Sequence, residues 1–133
     1  MSFFSSIFPK PARTHIPADL SVLKCDVHSH FIPGTDDGAE TMDDSISLIR
    51  EFYNLGYKKV ITTPHILADG YPNTPEIILS GLEKVRVALK NENIPIQIEA
   101  AAEYYIDFDF GRKIDEEKLL TFGKNYLLFE VSY

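Results

Sequence analysis

The chain has 133 residues, of which 44% are hydrophobic and 25% charged, an ordinary globular mix long enough to bury one real core. A net charge of −7 and a pI near 5.0 argue against nucleic acid as the main partner, because phosphate backbones attract Lys and Arg. One cysteine, Cys25, excludes an internal disulfide; no apolar run approaches the length of a membrane span; and the N-terminus lacks the basic head and apolar stretch of a signal peptide, so the cytoplasm is the expected compartment.

Residues 1–20 read as an irregular N-terminal arm broken by Pro9, Pro11 and Pro17. Its Phe3, Phe4, Ile7 and Phe8 suit packing on the domain better than anchoring at a membrane surface, since only Lys10 and Arg13 are basic nearby. A first strand is expected over 22–28, running into a loop at Pro33-Gly34 with the turn-forming run Thr35-Asp36-Asp37-Gly38. Thr41 and Asp44 have capping-box spacing before a helix over 42–55, whose Ile46, Ile49, Phe52 and Tyr53 recur at three and four and which Gly56 stops.

Residues 59–63 form a β-branched second strand ended by Pro64, and a long loop follows over 66–73. Thr74-Pro75-Glu76 starts a helix that reaches about Lys90. A third strand is expected over 96–103, a hairpin or lid over 104–113, a short helix over 115–120 and a fourth strand over 126–130. Alternating strands and helices predict an α/β domain over 21–133, with about four parallel strands joined by crossover helices. The near-continuous apolar runs VITT and YLLFE predict strands covered on both faces.

Metal-friendly side chains fall at the strand ends. His28 and His30 close the first strand, His65 follows the second, Glu103 ends the third and Glu130 the fourth. The C-terminal ends of parallel strands are where α/β folds build their sites. Residues two apart in a strand share a face, so both first-strand imidazoles can reach one ion, with Asp26 as an outer partner for one of them. Taken singly, each feature has a bland reading: a hydrogen-bonded histidine pair, an Asp-Asp-Gly turn, a loop histidine, a solvated strand end. Their joint occurrence decides for a site. Mixed nitrogen and oxygen donors suit zinc, manganese or iron rather than calcium. Several carboxylates suggest more than one ion, and ions about 3.5–4 Å apart activate water and clamp phosphate in hydrolases.

The run DVHSHFIPGTDDG, then TTPH, then AAEYY, then LLFE, resembles the polymerase-and-histidinol-phosphatase (PHP) superfamily, and within it the CpsB/CapC-type tyrosine phosphatases of capsule and exopolysaccharide operons. The resemblance covers residues from about 23 onward. It implies the N-terminal part of a distorted (β/α)7 barrel with up to three divalent ions, manganese first and iron or zinc as alternatives. It implies the metal ligands His28, His30, Asp37, His65, Glu103 and Glu130. It implies a phosphotyrosine protein as substrate, notably the C-terminal tail of a bacterial tyrosine kinase, and so a role in regulating polysaccharide export. The later strands, a further histidine, a final Asp-x-His pair and the phosphate-gripping arginines of that family have no counterpart in these residues, so the domain is expected to be incomplete at its C-terminus.

A cysteine-dependent phosphatase is excluded, because the position where its signature arginine would follow Cys25 is Phe31. Cys25 reads as a small buried side chain of the first strand. Two other readings compete: a small-molecule phosphoesterase resembling histidinol phosphatase, and a non-catalytic metal-binding fragment.

Overall fold

The computed structural model describes residues 18–116 and 119–131. Residues up to 17 of the expected arm lie outside these. The described chain runs through a 3-10 turn at Leu20–Val22, β1 (Cys25–Asp26), α1 (Met42–Asn54), β2 (Lys59–Thr62), β3 (His65–Ile66), α2 (Pro75–Asn91), β4 (Gln97–Ala100), β5 (Glu103–Tyr105), α3 (Phe110–Glu116) and β6 (Leu128–Glu130). Every ladder is parallel, in the orders β1-β2-β4 and β3-β5-β6. This is the expected α/β architecture with helical crossovers.

Two strands pass from one sheet into the other, β2 into β3 and β4 into β5. Pro64 has no N–H to give, so the ladder breaks after Thr62 and resumes at His65. The neighbouring strand breaks at the same level, at Ala101 and Ala102. The Ala101 N–H still reaches Thr62 O at 2.9 Å and the Glu103 N–H reaches Pro64 O at 3.0 Å, so the chains stay side by side across the break. The single strand expected over 96–103 is therefore two.

Local chemistry explains the helices. The Thr41 hydroxyl accepts from the Asp44 N–H while Asp44 accepts from the Thr41 N–H at 3.0 Å, the expected capping box. At the other end Gly56 takes φ +96, its N–H reaching Tyr53 O while the Tyr57 N–H reaches Phe52 O, a Schellman closure. α2 starts at the expected Thr74-Pro75 and closes in the same way, with Asn93 in the left-handed region. Ile46 and Ile49 of α1, Ile78, Leu82, Val85 and Leu89 of α2, and Val60 and Ile98 of the sheet make one core. Burial of this kind stabilises by about 1.5–3 kcal/mol per large apolar side chain.

Four further expectations are corrected. The first strand does not span 22–28: Leu20–Val22 is a 3-10 turn, and after Asp26 the chain is irregular. Threonine side chains replace the ladder there. Thr62 Oγ1 donates to Ser29 O and accepts the Phe31 N–H, and Ser29 Oγ donates to Ile61 O. The long loop over 66–73 begins one residue late, because His65–Ile66 pairs with Glu103–Tyr104 as β3. The stretch 104–113 is no hairpin: it completes β5, turns at 107–109 and enters α3, so the short helix starts at Phe110 rather than 115. An Asx turn, with the Asp109 N–H on Asp107 Oδ1 at 2.9 Å, sets that earlier start. Finally, β2 is covered on both faces as expected, but β6 is shorter than 126–130 and Phe129 is 54% exposed, because β6 has a described neighbour on one side only.

Candidate metal centre

The parallel register brings the strand-end side chains together. His65 sits opposite Glu103 on β3 and β5, and Glu130 of β6 sits opposite Tyr105, two residues beyond Glu103 and so on the same face. His28 and His30 do not end a strand. They lie in the irregular segment beyond β1, and the threonine hydroxyls of β2 and its extension hold that segment over the same face.

Glu103 is at the centre. It is 8% exposed, and its Oε2 lies 3.8 Å from His28 Nε2, 3.5 Å from His30 Nε2 and 3.5 Å from His65 Nδ1. His65 Nδ1 also lies 3.8 Å from Glu130 Oε2, and its Nε2 lies 3.6 Å from Asp37 Oδ1. These separations are too long for good hydrogen bonds. They match donors around a shared cation: two atoms each about 2.1 Å from one ion at a tetrahedral angle lie roughly 3.4 Å apart. Three sets of donors lie within 4.8 Å of one another: His30, Asp36, Asp37 and His65; His28, His30 and Glu103; His65, Glu103 and Glu130. All six sequence-predicted residues fall in at least one set, and shared members link the sets.

Asp36 is the residue that sequence reasoning passed over as turn chemistry. Its side chain is fully buried. Oδ2 accepts from His30 Nδ1 at 2.7 Å and from the His65 N–H at 2.9 Å, while Oδ1 accepts from the Gly38 N–H at 3.1 Å. Burial alone would raise its carboxyl, but the hydrogen bonds from His30, His65 and Gly38 outweigh that and hold it below the usual carboxylate range. The same hydrogen bond pushes the His30 imidazole up, against burial that lowers it and with Asp36, Glu103 and Asp37 adding to the rise. An ionised carboxylate only accepts, so His30 donates from Nδ1 and turns Nε2 toward Glu103. Gly38 is required beside it, because a Cβ there would overlap the backbone of His30.

Thr63 does for His28 what Asp36 does for His30. Its Oγ1 lies 2.8 Å from His28 Nδ1 and 3.4 Å from Ser29 O. With the hydroxyl proton on the carbonyl, Nδ1 is the donor and Nε2 faces Glu103. Asp26 does not take the expected role of histidine partner. Its Oδ2 is buried without a hydrogen bond, and burial pushes its carboxyl up. The signal that could have found Thr63 is TTPH itself: hydroxyls immediately before a break, on the strand beside the two histidines.

An α/β frame of parallel strands thus carries a linked cluster of imidazoles and carboxylates with the donor chemistry for more than one divalent cation. The CpsB/CapC family of capsular polysaccharide synthesis matches this sequence over residues 24–133, and the chain belongs to it. It is 28% identical over 109 residues to the tyrosine-protein phosphatase YwqE of Bacillus subtilis, covering 81% of this chain and 43% of that protein. It is 28% identical over 108 residues to the tyrosine-protein phosphatase CpsB of Streptococcus agalactiae, covering 80% of this chain and 44% of that one. Among solved structures it is similar to that of YwqE from Bacillus subtilis and CpsB from Streptococcus pneumoniae, described as unique metal-dependent tyrosine phosphatases, with a TM-score of 0.74, 28% identity, and coverage of 81% of this chain and 44% of the other. The chain therefore spans less than half the length of these relatives. No helix among the described residues is long and apolar enough to cross a membrane.

Proposed function

We propose that this chain supplies part of the active site of a metal-dependent protein-tyrosine phosphatase that acts in the cytoplasm on phosphotyrosine, in the regulation of capsular polysaccharide synthesis. The reading rests on one observation above the others: three imidazole nitrogens surround a buried carboxylate oxygen at 3.5–3.8 Å, donors gathered at cation spacing. The family and the names of the relatives point the same way. His28, His30, Asp37, His65, Glu103 and Glu130 are the proposed ligands of divalent ions, manganese first and iron or zinc as alternatives. The described strands and helices are read as the first part of a distorted (β/α)7 barrel, and the tail of a bacterial tyrosine kinase as the substrate.

Bound divalent ions supply Lewis acidity toward phosphoryl oxygens and lower the pKa of water. The chain's own residues do the preparation. Glu103, itself buried, brings a carboxylate to the centre of the donors. Asp36 and Thr63 orient His30 and His28 through their Nδ1 atoms, so that both present Nε2 to the same point. The more exposed carboxylates of Asp37 and Glu130 flank His65 on the open side, where a phosphate would enter.

The test is metal content and phosphotyrosine-peptide hydrolysis by the whole protein supplied with manganese, beside Glu103→Gln. The unaltered protein should hold manganese and hydrolyse the peptide, and Glu103→Gln should reduce both by more than about a hundredfold, exceeding the usual loss from an outer-partner mutation. Activity that survives complete metal removal would sink the proposal. Metal without hydrolysis would leave a metal-binding module and no enzyme.

A further inference from the structure

The segment between β3 and α2 is built, although it contains no long element. The Leu67 N–H donates to Tyr71 O and the Tyr71 N–H to Leu67 O, both at 3.0 Å, which closes a small antiparallel turn. The Asn73 N–H then reaches Tyr71 O at 2.7 Å. This turn presents two side chains to the metal centre. The Tyr71 ring stacks on His65, with centroids 5.5 Å apart and planes 16° from parallel. The Asn73 amide donates through Nδ2 to His65 O and to Thr35 O, both at 2.8 Å.

The two acceptors belong to different parts of the site. His65 is on β3, whereas Thr35 immediately precedes Asp36 and Asp37. Two carbonyl oxygens at one amide also settle its orientation, since only the NH2 can face both. A further hydrogen bond between these parts is that of the His65 N–H on Asp36 Oδ2. Asn73 thus bridges the loop that holds His30 and Asp37 to the strand that holds His65.

We propose that Asn73 is the positioning residue that sets the acidic loop of residues 35–38 against His65, with Tyr71 fixing the plane of the His65 ring. Asn73 touches no proposed ligand atom; it acts through the backbone carbonyls on either side. The metal part of this inference rests on the metal-centre reading above, whereas the clamp is made of hydrogen bonds within the chain alone.

The test uses Asn73→Ala, which removes the donor, and Asn73→Asp, which keeps the shape but cannot donate at neutral pH. Hydrogen exchange in the metal-free whole protein reads the clamp directly, because the His65 N–H stays protected only while Asp36 remains docked on it. Exchange at His65 should accelerate by about tenfold or more in both variants, with Val60 and Val85 of the frame unchanged. Cobalt(II) titration followed by visible absorption should show affinity about ten- to a hundredfold weaker and an altered band, as for loss of a ligand-orienting contact. Unchanged protection at His65 overturns the proposal, as does cobalt binding with wild-type affinity and spectrum. Equal acceleration at His65, Val60 and Val85 overturns it too, because Asn73 would then support the whole fold. If the unaltered protein binds no cobalt, the metal reading falls and exchange at His65 alone decides the clamp.

Discussion

The same run of strands serves two regimes on either side of its break. Below it, β1, β2 and β4 lie under α1 and α2, and Val60, Ile49, Ile78 and Val85 are fully buried. Each of these makes many weak contacts, so no one of them determines the others. Above it, β3, β5 and β6 carry His65, Glu103 and Glu130, and the geometry depends on a few polar bonds made by Asp36, Thr63 and Asn73. The frame is over-determined and the site is not. A change in the frame should therefore cost stability and leave the site's shape intact, whereas a change at an orienting residue should do the reverse.

The largest effect expected from this division is in the frame. Leu82→Ala removes a side chain that is 2% exposed at the α2 face of the core. It should destabilise by about 3 kcal/mol, since a cavity adds to the lost transfer energy. Thermal or denaturant unfolding measures this, and the cobalt spectrum of the folded variant should match that of the unaltered protein. Asp36→Asn is the converse. It retains shape but loses the charge and an acceptor toward His30, and manganese affinity should fall about ten- to a hundredfold by titration calorimetry, with a smaller loss of melting temperature than Leu82→Ala causes. Should Leu82→Ala weaken metal binding as much as Asp36→Asn does, the division into two regimes is wrong. The smallest effect sharpens the comparison: Thr41→Ala deletes the cap of α1 and should cost about 1 kcal/mol, read as a lower melting temperature with unchanged metal affinity.

What was legible in the sequence follows the same division. α1 and α2 declared themselves because caps, apolar spacing and stop residues are local signals, and local signals formed both helices. The parallel sheet followed from the alternation. The first strand was misread because its continuation beyond Asp26 depends on Thr62 and Thr63, which lie far away in sequence. The break after Ala100 was missed because Ala101-Ala102 carries no local signal; its cause is Pro64 on the neighbouring strand. Among the candidate site residues, Glu103 and His65 were visible from their expected positions at strand ends. Asp36 and Asn73 were not, since an Asp-Asp-Gly turn and a loop asparagine look ordinary until the backbone groups they hold are known.

The break has a further consequence for how the protein comes into being. Because every ladder among the described residues is parallel, the donors arrive on separate segments, His28, His30 and Asp37 together on the first, and crossovers must be ordered before Glu103 and Glu130 can dock. His28 and His30 emerge from the ribosome early and meet Glu103 only after both long helices have been made. No two adjacent segments of the nascent chain bring the full set of donors together. If these donors hold cations as proposed, the groups that Glu103 and Glu130 complete can fill only after β5 and β6 have docked.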